Sequence, residues 1–215
     1  MSLENISATR INLIQTKKTL SLAESGRDIL ERKRDILLRE LRNSIYEAER
    51  AREELSGALR GAYRSLKEAE LAKGSETVAN LALGSSYEAD FLLDYHSIMG
   101  VTVPIVEFRS ETEAKPDYGF ANTSAELDKA FKKLYRVLDF IAELARVEGT
   151  VFQIANDVRR TQRRVNALNH VLIPLYRNTV KRIEQVLEEK EREEFVRTKR
   201  IKHMIKEHGK IELEI

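Results

Sequence analysis

Between Thr9 and Lys73 no proline interrupts the chain, and apolar residues recur at helical spacing throughout. Leu22, Ile29 and Ile36 are spaced by sevens; Leu41, Ile45, Ala48, Arg52, Leu55, Leu59, Ala62, Leu66 and Ala69 then alternate steps of four and three. A sustained alternation of this kind keeps one stripe on one side of a slightly underwound helix, and the stripe demands a partner helix along its length. The phase changes around Leu37 to Leu41, which predicts a stutter there. Gly74, directly after the basic Lys73, predicts the helix end. At a rise of 1.5 Å per residue this helix would be about 97 Å long. A compact globule of this chain length has a radius of gyration of only about 17 Å, so one globular core is excluded.

A second stripe begins after Asn122, Thr123 and Ser124, with Glu126 and Asp128 supplying the acidic first turn that a helix N-terminus favours. Leu127, Phe131, Leu134, Leu138, Ile141, Ala145, Phe152 and Ala155 carry it, with Glu148 in one seam position, and Val158, Val165, Leu168, Leu172, Leu175, Ile183 and Val186 continue it. Densely charged sequence then runs to about His208, for a helix of about 125 Å. Packing the two stripes on each other buries leucines and isoleucines worth roughly 1.5–3 kcal/mol each. Loop closure costs less, because it grows only logarithmically with loop length. An intermolecular coiled coil satisfies the same stripes equally well. If the hairpin closes at Gly74, residue i lies near residue 197 minus i, placing Leu22 near Leu175 and Leu55 near Ile141 to Ala145. In that register the segment from Lys190 to His208 overhangs the first helix.

The segment between the stripes has a different composition. Ser75 to Leu83 suits a short helix. Phe91, Leu92, Leu93, Tyr95 and Ile98, then Val101, Val103, Ile105, Val106 and Phe108, flank Met99 and Gly100, which predicts a β-hairpin turning at Gly100. Pro104 cannot donate to a ladder, so its strand should present an edge there. Ser110 to Thr123 is polar, contains Pro116 and Gly119, and reads as a loop. The fold class expected is mainly α: a long antiparallel two-helix coiled coil with a small central segment holding a short helix and a β-hairpin. Its parts are residues 1–73, 74–122 and 123–215, together one structural unit, with the hairpin an appendage the coiled coil can fold without.

Charge separates the same parts. Residues 74–122 hold two basic and eight acidic side chains, a net −6, whereas the two flanks together hold 35 basic and 27 acidic ones, a net +8. Such asymmetry predicts different partners for the two regions. The basic excess is spread over the long helices among interleaved acids, too sparse for a phosphate-binding stripe, so no nucleic-acid partner is expected. No run of about 18 apolar residues occurs, and the first 20 residues mix Glu4, Arg10, Lys17 and Lys18 with isolated aliphatics, so neither membrane insertion nor a signal peptide is expected. There is no cysteine. No phosphate-binding loop, HExxH or GxSxG motif occurs, and His96, His170, His203 and His208 share no metal-ligand spacing on one helical face. No catalytic, cofactor or metal site is expected.

The stretch Arg163-Arg164-Val165-Asn166-Ala167-Leu168-Asn169-His170-Val171-Leu172-Ile173-Pro174 resembles the signature of the family of D subunits of archaeal- and vacuolar-type rotary ATPases. Thr9-Arg10 with Leu20, Gly26, Leu30 and Lys33-Arg34-Asp35 is similar to that family's opening helix. Ile98-Met99-Gly100-Val101 with Val103-Pro104 is similar to its central hairpin, and the charged run from Leu187 to Phe195, followed by Arg197, Lys199 and Arg200, to its tail. The likeness spans about residues 8–205. Asn169 departs from it, standing where a glutamate is common, and Ile211 to Ile215 match no pattern.

The resemblance implies a central rotor shaft that passes torque between a hexamer of catalytic and regulatory subunits and a membrane ion-translocating ring. Partners would be that hexamer, the small F subunit of the central stalk and the adaptor on the proteolipid ring, at the cytoplasmic face of the membrane. The competing expectation is a self-associating coiled-coil scaffold or tether.

Particular residues acquire expected roles within that frame. Arg159, Arg160, Arg163 and Arg164, with Phe195, Ile201 and Met204 in the tail, would contact the hexamer; otherwise the arginines are a solvated face. Pro174 removes a backbone hydrogen bond and would give the shaft curvature, or else is a tolerated kink. Gly57 and Gly61, a GxxxG pair among charged neighbours, would let the small stalk partner approach closely. Gln162, Asn166 and Asn169 at or beside the seam would fix register. Met99, Gly100, Val101 and Pro104 form the expected hairpin tip.

Overall fold

The computed structural model describes residues 7–83, 89–109, 118 and 123–211. In chain order it contains α1 (Arg10–Lys73), α2 (Ser75–Leu83), β1 (Phe91–Ile98), β2 (Val101–Phe108), α3 (Ala125–Ala167), a π-helical turn (Leu168–Leu172) and α4 (Ile173–Ile211). Apart from Tyr118 and Thr123, the loop expected over 110–123 lies outside the described residues. The described residues form two compact units: those up to Lys33 with those from Thr161 onward, and those from Arg34 to Arg160.

In the first unit the start of α1 runs antiparallel to α4. Arg10 meets Glu191 at 2.7 Å, Lys17 meets Glu184 at 2.7 Å, Arg177 Nε donates to Glu24 at 3.2 Å, and the Asn169 amide donates to Glu31 at 3.3 Å. On α1 these rungs fall every seven residues, one per heptad. On the partner the steps are seven, seven and then eight, from Arg177 to Asn169. The extra residue coincides with the π-helical turn, in which the Ile173 N–H reaches the Leu168 carbonyl five residues back. Pro174, with no N–H to offer, directly follows this wide turn, which lets the chain skip one residue without leaving the helix. The seam records the same skip, since buried Val165 is followed by buried Ile173, eight residues on, and then by Val180 and half-buried Leu187 in sevens.

In the second unit α1 again runs antiparallel to α3, with Arg52 2.8 Å from Glu148 and Lys133 Nζ donating to Ser65 Oγ at 2.6 Å. Residue numbers across the rungs of both units add to between 198 and 201, about one helical turn from the expected 197, and Leu55 falls opposite about residue 144. The main core joins Leu37 of α1 and Ile154 of α3 to Val101 and Val103 of β2, with Ile98, Leu41 and Val158 around them. The hairpin is therefore part of this unit's core and not an appendage. At the far end of the unit, Ser124 starts α3 by accepting the Leu127 N–H on its Oγ at 3.3 Å, and Gly74 ends α1 with φ +86°. Val78 of α2 is buried there, and the Tyr118 hydroxyl donates to Asp128 at 2.7 Å. Desolvation first, then this bond, raises the Tyr118 pKa.

The seam follows only some of the large aliphatics. One row of buried and half-buried positions along α1 comprises Leu13, Thr16, Leu20, Ala23, Arg27 and Leu30, then Arg34, Leu37, Leu41, Ser44, Ala48, Ala51, Leu55, Ala58, Ala62, Ser65 and Ala69, with Leu38, Leu59 and Leu66 half-buried beside it. The row alternates threes and fours without a break, so the expected stutter at Leu37 to Leu41 is absent. Leu22, Ile29 and Ile36 lie on the outer face, 73%, 67% and 44% exposed. On α3 and α4 the expected stripe holds in part: Val165 and Ile183 are buried and Leu127, Phe131, Leu134, Leu138, Ala155 and Val158 half-buried, while Ile141, Phe152, Leu172, Leu175 and Val186 are exposed and Val137, Ala142, Val147, Ile154, Thr161, Ile173 and Val180 fill other buried positions.

Candidate interaction surfaces

β1 and β2 pair antiparallel from Phe91↔Phe108 to Ile98↔Val101, in the expected strands. Met99 (φ 53°) and Gly100 (φ 78°) both occupy the left-handed region, as a two-residue turn of the type that matches strand twist requires. Closing such a turn makes Ile98↔Val101 a hydrogen-bonded pair, so every second pair from there is bonded and those between are not. The Arg109 N–H donating to the Asp90 carbonyl at 2.9 Å continues the same alternation beyond the strand ends. Pro104, opposite Tyr95, falls at a non-bonded pair, where its missing N–H would have pointed away from β1. This is the edge position expected of it.

Pro104 also touches α3. A Cβ built on Gly149 would lie 2.6 Å from Pro104 Cγ, so only glycine admits the ring. At the open end of the hairpin Phe108 stacks between Phe91 and Tyr135, with ring centroids 5.4 Å apart in each pair, and Phe131 extends the row. Gly149 and the aromatic row were missed in the sequence, because their partners come from another element.

Arg159 and Arg160, in the second unit, and Arg163 and Arg164, in the first, are all exposed, as are Phe195, Ile201 and Met204 on the last turns of α4. From Glu188 to Met204 every residue of α4 is exposed, and Arg10 reaches no further along it than Glu191. The overhang is thus helical, as expected. Gly57 is exposed and Gly61 half-buried, and among the described residues nothing beyond the helix's own backbone and their chain neighbours lies within 4 Å of a Cβ placed on either. The glycines serve no close approach among the described residues. Of the three seam amides Asn169 spans two helices, to Glu31, and the Gln162 amide donates to Asn166 along α3 at 2.8 Å.

Electrostatics are local. Glu143 and Arg146, three residues apart on α3, are joined by Arg146 Nε donating to Glu143 at 3.0 Å. That hydrogen bond first, and then the guanidinium charge, holds the Glu143 carboxyl below its ordinary range. Glu126 is also lowered, chiefly by its own backbone N–H and by the Ser124 hydroxyl. Among the described residues no cluster of three or more metal-ligating side chains occurs, and no helix is long and apolar enough to cross a membrane.

Comparison with known proteins matches residues 12–203 to the family described as the ATP synthase D subunit. The chain is 40% identical over 202 residues to the D subunit of the V-type ATP synthase of Thermotoga neapolitana, covering 94% of this chain and 98% of that one. It is 39% identical to the D subunit of the A-type ATP synthase of Methanopyrus kandleri, covering 94% and 88%. Against the D subunit of the A-type ATP synthase of Thermococcus kodakarensis it is 36% identical, covering 94% and 95%. With one family model spanning nearly all of its residues, and relatives matched along almost all of their own length, this chain belongs to the family of D subunits of the A-/V-type ATP synthases.

Proposed function

We propose that this chain is the central rotor shaft of an A-/V-type ATPase or ATP synthase, carrying torque between the catalytic hexamer and the membrane ring and catalysing nothing itself. The observation that carries this reading is where the large aliphatics lie. Apart from Leu37, the buried positions of α1 are the small residues Thr16, Ser44, Ala51, Ala62, Ser65 and Ala69, while Ile11, Ile14, Leu22 and Ile29, with Phe195, Val196, Ile201 and Met204 of the overhang, face outward. Large aliphatics set in water once per heptad, at Leu22, Ile29 and Ile36, call for a partner around them. A sleeve of subunits supplies that partner. The exposed arginines Arg159, Arg160, Arg163 and Arg164 then hold the shaft through screened charge, without one deep angular minimum. The shaft's curvature is assigned to the region of Pro174, and a close contact with the small F subunit of the stalk to Gly57 and Gly61. The acidic middle, with the hairpin tip Met99, Gly100, Val101 and Pro104, faces a different partner from the shaft.

The antiparallel helix pairing closes within one chain, so a scaffold that needs a second copy to pair these helices has no such observation in its favour. Reconstitution into a hexamer of catalytic and regulatory subunits tests the reading. A reversible disulfide between a cysteine at Leu22 and the surrounding hexamer should stop ATP turnover, and reduction should restore it. Undiminished turnover of the cross-linked complex, or a stable homodimer of the chain that excludes the hexamer, refutes the shaft.

A further inference from the structure

β1 is exposed along seven of its eight residues, and among the described residues its only strand neighbour is β2. The hairpin is set on edge. β2 turns Val101 and Val103 into the core and lays Pro104 on Gly149, so it is the inner strand, whereas β1 reaches that core only through Ile98 beside the turn and is exposed from Phe91 to Ser97. Because Ile98, His96, Asp94 and Leu92 hold the bonded pairs with β2, the N–H and C=O groups of Phe91, Leu93, Tyr95 and Ser97 point outward. One of these donors is occupied, the Tyr95 N–H being bonded to the Asp94 carboxylate at 2.7 Å.

Sheet edges open to water are usually blunted by proline, lysine, a bulge or short length. β1 has none of these and carries a single charged side chain, Asp94. It is eight residues long, pairs in unbroken register, and exposes Phe91, Leu92, Leu93 and Tyr95. The inner strand, by contrast, carries the proline. Asp94 at the centre of β1 decides what the edge can take. Two copies of β1 paired antiparallel over their full outward span, Phe91 opposite Ser97, would set Asp94 directly opposite its own copy, and like charges opposed in this way repel.

We infer that the outer edge of β1 receives an extended strand of another protein, antiparallel, with a lysine or arginine opposite Asp94 and apolar residues opposite Leu93 and Tyr95. The added strand takes the outward N–H groups of Phe91, Leu93 and Ser97 through its carbonyls. Its basic residue draws the Asp94 carboxylate off the Tyr95 N–H and frees that donor. Main-chain bonds supply the affinity, and Asp94 with the alternating apolar side chains supplies the choice of partner. The acidic balance of residues 74–122 favours the same basic strand. The inference stands apart from the rotor reading, since it concerns the hairpin of the isolated chain.

The test uses the full chain and a blocked peptide, Thr-Thr-Val-Lys-Val-Val-Ile, read by amide hydrogen exchange. Saturating peptide should slow exchange at Phe91, Leu93, Tyr95 and Ser97 at least tenfold, and a peptide with glutamate in place of lysine should bind at least tenfold more weakly. Leu93→Pro removes an outward N–H without touching a bond to β2 and should abolish binding. Asp94→Lys should reverse the preference, so that the glutamate peptide binds and the lysine peptide does not. The proposal is overturned by protection indifferent to Leu93→Pro, by a peptide preference that Asp94→Lys leaves unchanged, or by no saturable protection. It is also overturned if β1 is protected by dimerisation of the chain alone.

Discussion

Pro104 Cγ occupies the space a side chain at Gly149 would need, 2.6 Å from the position of its Cβ. Alanine in place of a helical glycine ordinarily stabilises by up to about 1 kcal/mol. Here the contact is with a ring fixed in a strand, and overpacking of this kind costs about 1–3 kcal/mol. Gly149→Ala should therefore destabilise by about 1 kcal/mol in denaturant unfolding. Pro104→Ala in the same chain, which removes Cγ and leaves Cβ at 3.9 Å, should reverse the sign. Additive single-mutant effects would show that the two residues do not meet.

The small-residue seam is tested by contrast. Leu37 and Ile154 are fully buried, and truncating either to alanine should cost about 2–5 kcal/mol. Leu22→Ala and Ile29→Ala, on the outer face of the same helix, should each change stability by less than about 0.5 kcal/mol in the isolated chain. Comparable losses at Leu22 and Leu37 would restore the seven-residue stripe that the sequence suggests.

The π-helical turn at Leu168–Leu172 adds one residue to the heptad phase of the partner helix. Deleting exposed His170 together with Pro174→Ala should restore a spacing of seven while keeping Arg177 on Glu24 and Glu184 on Lys17. Stability should then change by no more than about 1 kcal/mol relative to the parent chain, because one turn is converted and no burial is lost. Deleting exposed Asn178 alone should turn Val180 and Ile183 out of the seam, at roughly 1.5–3 kcal/mol each. Thermal unfolding of the two deletions separates these outcomes.

Glu143 is held below its ordinary pKa of 4.5 by Arg146 in the folded chain. A carboxylate depressed in this way binds its proton more readily when unfolded, so its stabilisation is present above the ordinary pKa and is lost as pH falls through the folded value. Both side chains are substantially exposed, which limits the pair to a few tenths of a kcal/mol. Glu143→Gln should therefore lower stability slightly at pH 7 and leave it unchanged once the pH has fallen through the folded value and the carboxyl is protonated in both states. An equal loss at both pH values would mean the residue acts through packing instead.

The sequence by itself determined the element types and their ends. The absence of proline from 9 to 73 made α1 one helix, Gly74 stopped it, Ser124 started α3, and β-branched and aromatic residues around Met99 and Gly100 made the hairpin, because each of these is a local property of backbone and side chain. It also carried the family likeness, and an antiparallel register correct to about one turn. Which face of each helix became the seam was decided only by the tertiary structure. Periodicity weights large aliphatics, yet alanine, serine and threonine let backbones approach closely, and Arg27 and Arg34 cover the seam with their stems while their heads meet Asp28 and Asp35. The hairpin's place in the core was equally hidden. Val101 and Val103 find Leu37 and Ile154 across more than fifty residues of sequence on either side, and the gap at Gly149 that admits Pro104 exists only once three elements have come together.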